Sequence, residues 1–163
     1  MSTETIPDAP ADRVEAILDR VVGALDLDAT IEISEDERQI TARIEGEDVG
    51  RLIGRRGQTI DAIQFLCYRA AQRGITDRKR VQVDAGGYRE ARREQLESQA
   101  ERAAERALDS GREIELEPMS ASERKVVHDH LKERSGVETF SEGDEPERRV
   151  IVAPLVGDED SGD

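Results

Sequence analysis

The spacing of apolar positions changes several times along the chain, and each change marks an element. Val14, Ile17, Leu18, Val21, Val22 and Leu25 follow Pro10 at the spacing of one helical face. TIEIS and RQITARIE then alternate, with Ile31 and Ile33 in the first and Ile40, Ala42 and Ile44 in the second. Alternation of this kind predicts a two-stranded hairpin around the acidic turn EDE. EDVGRLI is long enough for about two helical turns and stops at Gly54. From Gln58 to Arg73 a further helix is predicted, with Ile60, Ile63, Cys67, Ala70 and Ala71 on one face and Gly74 as a left-handed cap. KRVQVD adds a third strand through Val81 and Val83. The first half therefore reads helix, strand, strand, helix, glycine loop, helix, strand.

The second half has a different rhythm. Tyr88 to Asp109 reads as a long charged helix with a thin stripe of Leu96, Ala100, Ala103 and Ala107, stopped by Gly111. A short strand, REIELE, follows. Ser120 and Glu123 have the spacing of a capping box for a helix running to about Arg134. VETFS, the turn EGDEP and RRVIVA complete a strand, turn, strand ending. The class is α+β in two small domains, residues 10–84 and 85–156, between polar tails, 1–9 and 157–163, that are expected to be disordered.

Composition narrows the chemistry. Aromatic residues make up 2% of the 163 positions and Trp is absent, so the core must be built from Val, Ile, Leu and Ala. No apolar run approaches the ~20 residues of a membrane span, and the N-terminus MSTETIPDAPADR has no apolar signal core. The expectation is a cytoplasmic protein without membrane insertion. The single Cys67 cannot form an intramolecular disulfide, and its place on an apolar face suits core filling better than nucleophilic catalysis. His128 and His130 diverge by about 200° on a helix, and no Cys or carboxylate pattern completes a metal site. No metal, no cofactor and no enzymatic activity are expected.

Charge is unevenly placed. The formal net charge is -14, yet residues 51–84 carry 8 basic and 3 acidic side chains while residues 1–50 carry 4 and 14. A global excess of acid opposes indiscriminate polyanion binding but permits a local basic surface. That basic segment opens within GRLIGRRGQTIDAIQ, where Gly54 and Gly57 flank Arg55 and Arg56. Two glycines allow a tight turn and close approach of a nucleic-acid backbone. The helix that follows offers free N–H groups and the positive end of its dipole at the same place. Taken alone, the motif fits a plain helical corner with two solvated arginines at least as well. A nucleotide-binding P-loop fits worse, because Gly57 is followed by Gln58 and Thr59 rather than Lys and Ser or Thr.

Arg124, His128 and Lys132 fall at i, i+4 and i+8, a stripe that could present donors to phosphates. From spacing alone, a surface stripe with a satisfied histidine is the better reading. Of Arg148 and Arg149 only one could join that surface, since adjacent strand residues face opposite ways.

The resemblance of these segments to known families changes the weighting. IGRRGQTI, Ile53 to Ile60, resembles the signature of KH domains, and the element order αββααβ resembles their bacterial type II arrangement. ERKVVHDHL followed by SEGDEPERRVIV resembles the R-three-H domain, named for Arg-x-x-x-His. Over about residues 10–156 the chain resembles the Jag family of bacterial RNA-binding proteins, also called KhpB, in a short form without the small N-terminal domain and linker. The resemblance implies a single-stranded RNA ligand, with single-stranded DNA left open. It implies that the Gly54–Gly57 loop clamps about four nucleotides with Arg55 and Arg56 beside the phosphates, and that Ile53 and Ile60 help form an apolar groove. It makes Arg124 and His128 a second site, to which Lys132 is added by spacing alone. It further implies a small KH-only protein partner, a role as post-transcriptional regulator or RNA chaperone, and a link to cell envelope growth and division. Two other readings compete. One is a protein-interaction scaffold on the ribosome, working through the long Arg/Glu helix. The other is an RNA-processing enzyme with His128 as acid or base.

Overall fold

A computed structural model describes residues 7–155. Apart from residues 7–9, the two tails expected from the sequence lie outside the described residues. The chain divides into two compact units, Met1–Arg89 and Glu90–Asp163.

In the first unit, α1 (Pro10–Ala24) begins with Pro10, whose fixed φ suits the first helical turn and whose missing N–H costs nothing there. Its stripe buries Val14, Leu18 and Val22. The strands β1 (Ala29–Glu35) and β2 (Gln39–Gly46) pair antiparallel, with Ile31 opposite Ile44 and Ile33 opposite Ala42. Asp36 makes the hairpin turn, its carboxylate accepting from the backbone N–H groups of Arg38 and Gln39 at 2.7 and 2.8 Å. After the helices α2 (Gly50–Ile53) and α3 (Gln58–Ala71), β3 (Arg80–Ala85) returns parallel to β2. The sheet order is β1-β2-β3, which leaves β3 as an edge. Ile40, Ala42, Ile44, Val81, Val83 and Ala85 point from one sheet face into a core shared with Val14, Leu18, Ile60, Ile63 and Cys67. Thr41, Arg43, Gln82 and Asp84, the intervening residues, line the other face, as strand periodicity requires. Arg13 ties α1 to the end of α3 by donating to the carbonyls of Ala70 and Arg73.

In the second unit, α4 (Tyr88–Ser110) buries Leu96, Ala100, Ala103, Ala104 and Ala107. These small side chains meet Val127 and Leu131 of α5 (Ala121–Leu131) in a core with Val150 and Val152 of β6 (Arg149–Pro154). The sheet order is β4-β6-β5, both pairings antiparallel, with β4 at Ile114–Glu115 and β5 at Val137–Glu142.

Three elements are shorter than the sequence pattern predicts. α2 is one turn rather than two. Arg51 and Leu52 donate three residues back, to Asp48 and Val49, so the chain upstream of Gly50 is a tight turn. α5 stops at Leu131, its last buried apolar residue; Lys132 and Glu133 are exposed, and Arg134 N–H closes on the Leu131 carbonyl at 3.0 Å. β4 has two residues, but its pairing continues irregularly as Leu116 and Met119 donate to the carbonyls of Val150 and Arg148.

The capping box forms as predicted. Glu123 N–H donates to Ser120 Oγ, and Glu123 Oε2 accepts from Ser120 N–H. The other carboxylate oxygen of Glu123 pairs with Arg92 Nε at 2.7 Å and so joins α5 to α4. Ser120→Ala should lower the stability of this unit by about 1 kcal/mol, read from the urea midpoint. An unchanged midpoint would show that the cap does not hold α5.

Candidate nucleic-acid interface

The glycine loop is set by backbone geometry. Gly54 has φ +70°, Arg56 +53° and Gly57 +76°, so three of its four residues lie in the region that side chains disfavour. Neither glycine has room for a side chain. A Cβ on Gly54 would collide with the side chain of Thr59, and one on Gly57 would sit 2.7 Å from the ring of Tyr88. The resulting one-turn helix, Arg55–Gly57, leads straight into α3, whose N-terminus has no side-chain cap. Arg55 and Arg56 are exposed, while Gly57 is buried beneath them. The loop therefore presents two cations beside the positive end of a helix dipole, a geometry suited to phosphate.

A groove of about 550 Å³ runs between α3 and the start of β3. Phe65, Tyr68, Arg80 and Gln82 line it together with Gln64 and Arg89. The open edge of β3 is occupied there: Val83 N–H donates to Gln64 Oε1 at 2.9 Å, and Arg89 Nε donates to the Val83 carbonyl at 2.9 Å. Arg89 also pairs with Asp61 at 2.9 Å. Ile60, expected in the groove, is instead fully buried in the core, and Ile53 is half-buried against it. The reason is α3's own period, which puts Ile60 in line with Ile63, Cys67 and Ala71. The aromatic Phe65 does face outward, at 61% exposure. Its position off that apolar stripe was the available signal. Cys67 lies in the same core, and burial pushes its thiol up to about 11, which keeps it protonated.

The Arg-x-x-x-His stripe is placed differently from the expectation. Arg124 is not an exposed donor: its side chain is 9% exposed and its guanidinium donates to the Met119 carbonyl at 2.7 Å and to Glu145 at 2.6 Å. The spacing of Arg124 to Val127 and Leu131, three and seven residues, puts it on the buried face of α5. His128 is half-buried, with Nδ1 2.7 Å from Thr139 Oγ1 and Nε2 3.0 Å from Ser141 Oγ. Lys132 is exposed just past the end of α5. Arg148 turns to the carbonyls of Gly143 and Ser141, and Arg149 pairs with Glu115. Thr139, Ser141 and Glu145 were not foreseen, because they reach the stripe from a hairpin 11 to 21 residues away. His130 lies near Glu101, at 3.1 Å. Among the described residues no group of three or more His, Cys, Asp or Glu could hold a metal ion, and no helix is long and apolar enough to cross a membrane.

Burial, and then the charge of Arg124, hold the His128 imidazole below its ordinary value of 6.5; Asp129 opposes them more weakly. The folded state thus takes up its proton at a lower pH than the unfolded chain. Between the two values the unfolded chain binds more protons, so stability is complete above 6.5 and falls as the pH drops below it. His128→Gln should flatten that part of the stability profile, measured by urea unfolding across the acid range. An unaltered profile would mean that His128 titrates alike in both states.

A family model for the KH domain of KhpA and KhpB matches residues 11–84, and one for the R-three-H domain matches residues 94–154. The chain is 36% identical over 150 residues to the RNA-binding protein KhpB of Clostridium symbiosum, covering 92% of this chain and 67% of that one. It is 32% identical over 146 residues to the KhpB of Bacillus subtilis, covering 88% and 70%. With the KhpB of Streptococcus pneumoniae the identity is 34% over 142 residues, but the match spans only 43% of that longer protein. A glycine loop held open beside α3, an Arg-x-x-x-His helix braced by a hairpin, and these matches over most of the sequence lead to one conclusion: the chain belongs to the KhpB family, with a KH domain followed by an R-three-H domain.

Proposed function

We propose that the chain binds single-stranded RNA, with the Gly54–Gly57 loop as its principal clamp and the R-three-H unit as a second contact. The observation that carries this reading is the exposure of Arg55 and Arg56 on a loop whose two glycines leave no room for a side chain, at the uncapped start of α3. The relatives' designation as RNA-binding proteins supports it. The groove beside β3 supplies apolar and aromatic surface for unpaired bases, with Phe65 and Tyr68 among its walls. In the second unit the exposed Lys132 is a group open to a strand, while His128 is held by Thr139 and Ser141 and Arg124 by Met119 and Glu145.

Two tethered modules of modest affinity act together through effective concentration, which suits a post-transcriptional regulator or RNA chaperone. Binding rather than catalysis is favoured by the relatives' designation as RNA-binding proteins. A small KH-only protein is the proposed partner, and the exposed Leu66 on α3, 55% accessible, offers it apolar surface.

The test is fluorescence anisotropy with single-stranded RNA for the native chain and for Arg55→Asp with Arg56→Asp, folding being checked by circular dichroism. The double variant should bind at least tenfold more weakly. Its slope of log K against log salt should be shallower by ~0.7 for each phosphate no longer neutralised. Unchanged affinity and slope would remove the loop from the interface. Lys132→Ala should reduce the slope by ~0.7 on its own if the second unit also touches the backbone, and an identical slope would exclude it.

A further inference from the structure

The contacts of Arg124 are lopsided. On the protein side its guanidinium is held by the Met119 carbonyl; on the other it is covered by Glu145, whose own side chain is 57% exposed. Glu145 sits in the turn between β5 and β6, and that turn has hydrogen bonds of its own that do not use its carboxylate. Glu147 N–H donates to the Asp144 carbonyl at 2.8 Å, and Arg148 Nη1 donates to the Gly143 carbonyl at 2.6 Å. Arg124 Nη1 is used by Met119 and Nη2 donates to Glu145, and a guanidinium N–H donates to a phosphodiester oxygen as readily as to a carboxylate. A turn further along α5, His128 and Ser141 place two more polar groups on the same helix–hairpin face.

We propose that Glu145 is an internal stand-in for a nucleic-acid phosphate: it holds Arg124 in the free protein and is displaced when a phosphodiester of the RNA strand reaches the second unit. This inference rests on the RNA-binding reading above. Without Glu145, Arg124 would be a buried charge with no counter-ion, an arrangement that costs stability. With it, the charge is neutralised at rest, and exchange of one anion for another keeps the guanidinium paired throughout. The exchange favours a strand over a stray anion. A tethered carboxylate is present at high effective concentration, so a ligand anchored elsewhere on the protein competes with it far better than a free one. The cost is a lower apparent affinity, reduced by the fraction of molecules in which Glu145 has swung away.

The test measures binding of a mixed-sequence single-stranded RNA pool by fluorescence anisotropy to five full-length proteins. They are the native chain, Glu145→Gln, Glu147→Gln, Arg124→Met, and Glu145→Gln combined with Arg124→Met. Glu145→Gln should tighten binding about two- to fivefold beyond any effect of Glu147→Gln, which removes the same charge from the same turn. The gain should vanish in the Arg124→Met background, relative to Arg124→Met alone. If Glu145→Gln does not fold, Glu145→Asp, which shortens the reach to Arg124, should tighten binding in the same direction. Equal effects at Glu145 and Glu147 would reduce the pair to general electrostatics and overturn the proposal. Weaker binding by Glu145→Gln would make the ion pair a support for the site and overturn it as well. In either case RNA binding by the native chain would leave the broader reading intact, whereas no binding by any of the five would overturn both.

Discussion

The ring of Tyr88 lies where a Cβ on Gly57 would have to go, and the side chain of Thr59 lies where one on Gly54 would. Those two contacts require glycine at both ends of the loop between α2 and α3. With both glycines at positive φ, the chain turns within four residues, and the arginines between them are forced outward. The same turn drops Gly57 into the interior and starts α3 in the register that buries Ile60, Ile63, Cys67 and Ala71. Core packing and arginine display are thus two results of one backbone shape.

Electrostatics decides how an acidic chain can tolerate such a display. No acidic residue occurs between Gly54 and Ile60. The next one, Asp61, is paired with Arg89 at 2.9 Å and contributes little net field to the loop. Elsewhere several arginines are matched by carboxylates, as in Arg92 with Glu123 and Arg149 with Glu115. These pairs join elements of the second unit, while Arg55 and Arg56 stay exposed on the loop. The remaining negative surface repels polyanions that lack a good fit to the loop.

Much of this was legible in the sequence because it rests on local patterns. The period-2 runs of β1 and β2, the stripe of α1, the capping box of Ser120 and Glu123, and the glycine spacing each depend on residues a few positions apart. What the sequence concealed depends on distant ones. Helical spacing places Arg124, His128 and Lys132 in a row but does not say which way the row faces. The buried Val127 and Leu131, three and seven residues on, turn Arg124 inward, and its partner Glu145 arrives from a separate hairpin. Ile60 departs from its expected place for a related reason: its neighbours in the motif suggest a groove, while its helical neighbours draw it into the core. α5 falls short of the pattern because helix-compatible residues continue past Leu131, the last side chain that packing anchors, whereas α2 starts late because the chain before Gly50 forms a tight turn.

The central claim is that RNA meets this chain at the Gly54–Gly57 loop. The most direct measurement is a map of backbone amide ¹⁵N and ¹H shifts as single-stranded RNA is titrated into the native protein. The account predicts the largest shifts in residues 54–60, with a second set in residues 139–148 of the R-three-H unit. Shifts confined to the charged face of α4, with the glycine loop unmoved, would contradict it.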